Sequence, residues 1–143
     1  MPIRKAEAEW KGKVTDGSGH MRFGSGAFDG PYSFQSRMQD GAGTNPEELL
    51  GAAHAGCFSM ALSAQLTQAG LTPTRISTTA GVHLDKVGDG WAIPKIDLVT
   101  EGEVPGIDQQ TFQQHAETAK KNCPVSKLFA AAEITLKATL TGS

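Results

Sequence analysis

The sequence predicts an α+β fold, and three observations carry that prediction. Alternating apolar and polar residues mark strands near both ends of the chain. A long helix of small residues with a clear start signal lies before the middle, and a second, amphipathic helix precedes the last strand. A length of 143 residues, with 38% hydrophobic and 20% charged, predicts one ordinary globular domain over residues 1–143.

The elements follow in order. Ala6, Ala8 and Trp10 alternate with Glu7, Glu9 and Lys11, as in a half-buried strand. Gly-rich turns are predicted at Asp16–Gly19 and Phe28–Pro31. The run Tyr32 to Met38 alternates again, predicting a strand with Tyr32, Phe34 and Met38 on one face and Arg37 on the other. Thr44-Asn45-Pro46-Glu47-Glu48 is a helix start: a capping side chain, proline at the first position, then carboxylates facing the positive end of the dipole. The helix body runs from Leu49 to Ala69 and stops at Gly70. Leu50, Ala53, Cys57, Met60 and Ala61 fall at helical spacing on one face, and the small residues of its middle predict burial on most sides.

Strands are predicted at Ile76–Asp85 and Trp91–Val104, joined by a hairpin at Gly88-Asp89-Gly90. Pro94 has no N–H to donate, which argues that the second of them lies at a sheet edge or starts late. Asp108 caps a helix running to Lys121, with Phe112, His115, Ala116 and Ala119 inward. Cys123-Pro124 opens a short helical turn, and Ile134, Leu136, Ala138 and Leu140 alternate in a closing strand. The strands are expected in antiparallel groups.

Charge and composition exclude several functions. A net charge of −2, with no basic patch, gives no electrostatic case for nucleic acid or an anionic membrane. No apolar run is expected to reach the roughly 20 residues that span a bilayer. The charged start from Met1 to Glu7 lacks a signal-peptide core, so a cytoplasmic location is expected. There a permanent disulfide is disfavoured and a transient catalytic one is allowed. Cys57 and Cys123 are too far apart for a Cys-x-x-Cys motif, and without clustered histidines they make a poor zinc site. No phosphate loop or dinucleotide fingerprint is present, so no cofactor or metal is expected.

Five residues could carry chemistry. Cys57, mid-helix among apolar neighbours, reads by itself as an inert buried thiol. Cys123, at a helix start near Lys120, Lys121 and Lys127, reads as the more acidic of the two. Arg37 is a surface cation in its plain reading, and Glu47, like Glu48, a first-turn carboxylate; either carboxylate could instead orient an arginine through a bidentate pair. His54, one turn before Cys57, could activate it as in a Cys-His hydrolase or acyltransferase, although a packed helix histidine is the plainer reading. Two inert thiols in a non-enzymatic small-molecule-binding protein form a further alternative.

The local words are more specific than any of these residues alone. Gly43-Thr44-Asn45-Pro46-Glu47-Glu48-Leu49-Leu50 runs into Gly51-Ala52-Ala53-His54-Ala55-Gly56-Cys57-Phe58-Ser59-Met60-Ala61-Leu62, and Asn122-Cys123-Pro124-Val125-Ser126 follows downstream. Together with Leu84–Val87, Val104–Asp108 and the last strand, these words resemble the OsmC/Ohr family of osmotically inducible and organic hydroperoxide resistance proteins. His54 and the placement of Arg37 are similar to the OsmC branch.

The resemblance implies an intertwined homodimer, with antiparallel sheets wrapped around two central helices and active sites at the subunit interface. It implies that Cys57 is the peroxidatic cysteine, Cys123 the resolving one, Glu47 the family glutamate and Arg37 the OsmC-branch arginine. Arg22 stands as a second candidate, because the sister branch takes its arginine from an earlier segment. The implied activity is reduction of organic hydroperoxides, and less efficiently of hydrogen peroxide, in oxidative and osmotic stress defence. The implied reductant is an external dithiol, for which the resemblance suggests the lipoyl type. The apolar side chains Phe58, Met60 and Leu62 are expected to favour alkyl hydroperoxides.

Overall fold

A computed structural model describes residues 1–142. The chain divides into two compact units, Met1–Leu49 and Leu50–Ser143.

The N-terminal unit is a three-stranded antiparallel meander followed by a helical turn. Strands β1 (Ala6–Lys11), β2 (Ser18–Phe23) and β3 (Asp29–Tyr32) pair in sequence order, Ala6 opposite Phe23 and Arg22 opposite Asp29. The second reversal falls before Asp29, so the predicted turn at Phe28–Pro31 is instead mostly strand. The predicted strand over Tyr32–Met38 is also corrected. Phe34–Met38 forms a short helix, α1. Its cause is local: Ser33 Oγ accepts from Ser36 N–H at 3.1 Å, and Ser36 Oγ accepts from Ser33 N–H at 2.8 Å. This reciprocal cap outbids the alternating apolar pattern.

Helix α2 spans Pro46–Gln68. Asn45 Oδ1 accepts from Glu48 N–H at 2.7 Å, as the capping signal predicted. The helix ends just before Gly70, which turns the chain at φ 82°. Its buried row is His54, Phe58, Leu62 and Leu66, one position away from the predicted face. Met60, assigned to that face, is 77% exposed, and Ala53 is exposed as well. Within the single chain, Ala52, Ala53, Gly56, Met60 and Ala64 form an open stripe along α2. With alanine and glycine all round, the sequence supplies no amphipathic contrast from which to choose the face. By length and composition alone α2 is also apolar enough to cross a bilayer, where no such run was expected.

In the C-terminal unit, β4 (Arg75–Val87) and β5 (Gly90–Glu103) form the predicted antiparallel hairpin. Helix α3 (Gln109–Asn122) begins at the predicted cap, with Asp108 Oδ1 accepting from Thr111 N–H at 2.8 Å. A five-residue helix α4 (Pro124–Leu128) and strand β6 (Glu133–Gly142) close the chain. β6 pairs with β5 in parallel, so the expectation of purely antiparallel groups is corrected. α3 and α4 carry the chain back to the start of β5, and such a crossover delivers a parallel strand. β5 is therefore central and not an edge strand. Pro94 is tolerated because the ladder to β4 shifts register between His83 and Asp85, and pairing with β6 starts only at Lys95.

The core of this unit joins Phe58, Leu62 and Leu66 of α2 with Ile96 and Leu98 of β5, Phe112, Ala116 and Ala119 of α3, and Cys123. Full burial of each large side chain contributes about 1.5–3 kcal/mol. Gly51 sets how closely α2 can lie on the sheet: a Cβ there would stand 3.2 Å from the Ala80 carbonyl oxygen.

Candidate active site

Cys57 and Cys123 meet in the C-terminal unit. Cys57 sits half-buried on α2; Cys123 is fully buried at the joint between α3 and α4. The Cys123 thiol donates to Cys57 Sγ at 2.9 Å. The backbone explains the placement. Cys123 N–H ends α3 by donating to Ala119 C=O at 2.9 Å, and its own C=O accepts from Lys127 N–H at 3.1 Å to begin α4. Pro124, at the first position of α4, needs no partner for a missing N–H.

Cys123 stands at the predicted helix start, just before Pro124. It makes no side-chain cap and is closed off from water. The nearby lysines do not address it: Lys120 Nζ donates to Ile134 C=O at 3.3 Å, and Lys121 and Lys127 are exposed. Burial pushes the Cys57 pKa above the ordinary thiol value, and the contact with Cys123 adds to the rise, while a hydrogen bond from the Val125 backbone opposes it. These immediate surroundings therefore favour the thiol, and a thiolate at Cys57 needs an added cation.

His54 does not engage Cys57. Its Nε2 lies 2.7 Å from Ser126 Oγ on α4, and its Nδ1 is buried with no hydrogen-bond partner among the described residues. Phe129 packs edge-on against the ring, with centroids 5.4 Å apart. A Cys-His nucleophile pair is thus not formed. Burial lowers the His54 pKa, so the ring is held neutral. Leaving a buried polar atom unpaired costs about 1–3 kcal/mol. The role of Ser126 as partner to His54 had only one signal in the sequence, its place three residues after Cys123.

In the N-terminal unit, Arg37 and Glu47 form a bidentate pair. Arg37 Nε donates to Glu47 Oε1 at 2.9 Å and Nη2 to Oε2 at 2.8 Å. Glu47 is only 8% exposed, whereas Arg37 keeps an open edge. The fork matches the geometry of the carboxylate and fixes the plane of the guanidinium. The bond to Glu47 also raises the Arg37 pKa further, so the cation is permanent. Arg22, the other candidate, pairs across strands with Glu7, and both are exposed. The two pairs of candidate residues therefore belong to different units, thiols in one and the arginine–glutamate clamp in the other.

Of the apolar side chains expected to favour alkyl hydroperoxides, Phe58 and Leu62 are fully buried in the core, and Met60 is exposed. A small apolar recess of about 210 Å³ lies elsewhere in the unit, beyond the end of α4, lined by Leu50, Ile93, Ile96, Leu128, Phe129, Ala131 and Ala132. Among the described residues no cluster of three or more histidine, cysteine or carboxylate side chains forms a metal site.

The OsmC-like protein family matches residues 39–139. The chain is 53% identical to peroxiredoxin OsmC of Escherichia coli (strain K12) over 134 residues, 93% of each chain. It is 34% identical to an organic hydroperoxide resistance protein of Xanthomonas axonopodis pv. citri (strain 306) over 87 residues, 60% of this chain and 59% of that one. The crystal structure of the organic hydroperoxide resistance protein OhrB of Bacillus subtilis superposes with a TM-score of 0.72 at 24% identity, covering 96% of this chain and 98% of that one, which supports the shared fold.

Proposed function

The chain belongs to the OsmC-like protein family, and on that premise we propose that it is a thiol peroxidase that reduces organic hydroperoxides through Cys57 and Cys123. The observation that carries the reading is the contact of two free thiols at 2.9 Å, from residues 66 apart in sequence.

The reaction has two protein steps. The Cys57 thiolate attacks the terminal peroxide oxygen; the O–O bond breaks and the alkoxide leaves, taking up a proton to become the alcohol. Cys57 is then a sulfenic acid. Cys123 attacks that sulfur and displaces water, forming the disulfide. An external dithiol, for which a lipoyl-type compound is our candidate, returns both thiols by exchange. A reducing compartment such as the cytoplasm suits a disulfide that must be opened in every cycle.

Arg37 is the cation this reading assigns to Cys57. Its support is the clamp by the nearly buried Glu47, which stands ten residues before Cys57 within α2. The aimed guanidinium would offset the burial that raises the thiol pKa and would stabilise charge on the departing oxygen. Arg22, exposed and paired with an exposed Glu7, is the weaker assignment. The open stripe Ala52, Ala53, Gly56, Met60 and Ala64 on α2 supports a homodimer, because it is an apolar helix face of small residues with room for close approach.

Intact-mass measurement after a single equivalent of cumene hydroperoxide tests the assignment. The expected product has lost two hydrogens, with the new bond mapped to Cys57 and Cys123. Undiminished peroxide consumption by Cys57→Ser would sink the proposal.

A further inference from the structure

Helix α2 and the turn that carries Cys123 meet through two parallel rungs. On α2, His54 and Cys57 are one turn apart and share a face. On the opposing turn, Cys123 and Ser126 have the same three-residue separation. Cys57 meets Cys123 at 2.9 Å, and His54 Nε2 meets Ser126 Oγ at 2.7 Å. The order is reversed on the two elements, so the turn runs antiparallel to α2 along the contact.

The thiol rung is altered in every catalytic cycle, whereas the His54–Ser126 rung is left intact by the chemistry. His54 is fully buried and Ser126 is 5% exposed, yet the imidazole makes a single hydrogen bond and leaves Nδ1 unpaired. An apolar side chain of similar size would fill the space without an orphaned nitrogen. The one polar bond that His54 makes goes to the turn bearing Cys123. That turn has little of its own to fix its angle: α4 has five residues and no side-chain cap, and Cys123 is the joint on which it hangs.

Building on the peroxidase reading above, we propose that His54 is a positioning residue for the resolving step. Through Ser126 it holds the Cys123 turn so that the Cys123 sulfur is aimed at Cys57 once Cys57 carries a hydroxyl. In that step the Cys123 thiol gives up its proton and its sulfur bonds to the Cys57 sulfur. The S–O bond of the sulfenic acid breaks, and the hydroxide takes up a proton and leaves as water. The balance is Cys57–SOH plus HS–Cys123 giving the disulfide and water, with no outside oxidant or reductant. Attack on the peroxide draws on the turn only for the Val125 backbone hydrogen bond to Cys57, whereas closure needs the Cys123 sulfur itself aimed. Loss of the rung therefore separates the two steps. Misplacing a reacting group by roughly 1 Å costs on the order of 100-fold in rate, and a sulfenic acid that waits is open to a second peroxide and irreversible oxidation to sulfinic acid.

The test is single-turnover kinetics with cumene hydroperoxide on the full chain and on Ser126→Ala, His54→Phe and His54→Gln. Peroxide loss, dimedone-trapped sulfenic acid and disulfide closure are followed separately. In Ser126→Ala and His54→Phe, closure is expected to slow about 10- to 100-fold while peroxide loss stays within about threefold, with more dimedone adduct and more sulfinic acid on Cys57. His54→Gln, whose amide reaches the same hydroxyl, should recover most of the closure rate. If His54→Phe does not fold, Ser126→Ala decides the matter, since it deletes a single hydroxyl. Closure at the wild-type rate in Ser126→Ala, or both steps slowed by one common factor, overturns the positioning role alone. Failure of the unsubstituted protein to consume peroxide overturns the peroxidase reading and this inference with it.

Discussion

The Cys123 thiol points at Cys57 Sγ from 2.9 Å before any oxidation has occurred. A disulfide holds its sulfurs about 2.05 Å apart, so closure requires an approach of less than roughly 1 Å and no large rearrangement of backbone. Cys123→Ser should therefore keep its first reaction with peroxide and lose turnover. Its Cys57 should accumulate as sulfenic acid, read as a mass gain of one oxygen that dimedone captures. If that variant cycles normally with a dithiol, the resolving role of Cys123 is wrong.

Arg37 makes two bonds to Glu47, and only Arg37 of the pair is open to solvent. Glu47→Ala should free the guanidinium, and Arg37→Ala should remove it. Loss of a single aimed donor to developing negative charge costs on the order of 100-fold in rate, and Arg37→Ala should fall by about that much at neutral pH. The sign of the pH effect follows from the raised Cys57 pKa. Without the cation the thiolate forms only at higher pH, so the peroxide step in Arg37→Ala should keep climbing with pH past the point where the wild type levels off. A thiol titration of Arg37→Ala that matches the wild type would transfer the role to Arg22 or another cation.

Much of this architecture was legible because the signals were local. Asn45 and Asp108 are caps whose partners lie three residues away, and both helices begin where those side chains predict. Arg37 was misplaced in a strand for the complementary reason. Two serines three residues apart satisfied each other's backbone and outweighed an alternation of apolar residues. The buried face of α2 escaped because alanine and glycine surround Cys57 on all sides. The parallel pairing of β5 with β6 escaped because strand direction is set by the crossover and not by the pattern within a strand. The site divides in the same way. Cys57 and Cys123 stood out as the only cysteines, but the 72-residue link from His54 to Ser126 has no periodicity behind it.

Three bonded or buried titratable groups in the C-terminal unit, His54, Asp97 and Asp108, shape the acid side of its stability. His54 is neutral when folded, with a pKa lowered by burial. Its folded pKa lies below the unfolded value, so its contribution is complete above about pH 6.5 and declines as pH falls below it. Asp97 is depressed first by its bond from Thr135 and then by His83, so its contribution starts to fade only below about pH 4. Urea melts across pH should show two separate losses. His54→Gln should remove the upper one and Asp97→Asn should reduce the lower, the remainder resting on Asp108, whose carboxylate is held down by its bonds from Thr111. A profile for His54→Gln that still declines between about pH 6.5 and 5 would place that titration elsewhere.

Gly56 distinguishes a homodimer from a monomer in one substitution. It lies on the open stripe of α2, and a Cβ added there meets nothing within 4 Å. In an isolated chain Gly56→Arg is therefore free of clashes, and replacing a mid-helix glycine with arginine gains up to about 1 kcal/mol of helix propensity. A monomer should become slightly more heat-stable. A dimer packed through Ala52, Gly56 and Met60 must instead bury a guanidinium without a partner, and its dissociation should appear in sedimentation together with a lower and concentration-dependent Tm. The two possibilities thus differ in the sign of the stability change as well as in mass. A dimer that persists unchanged with Gly56→Arg would move the subunit contact off this face of α2.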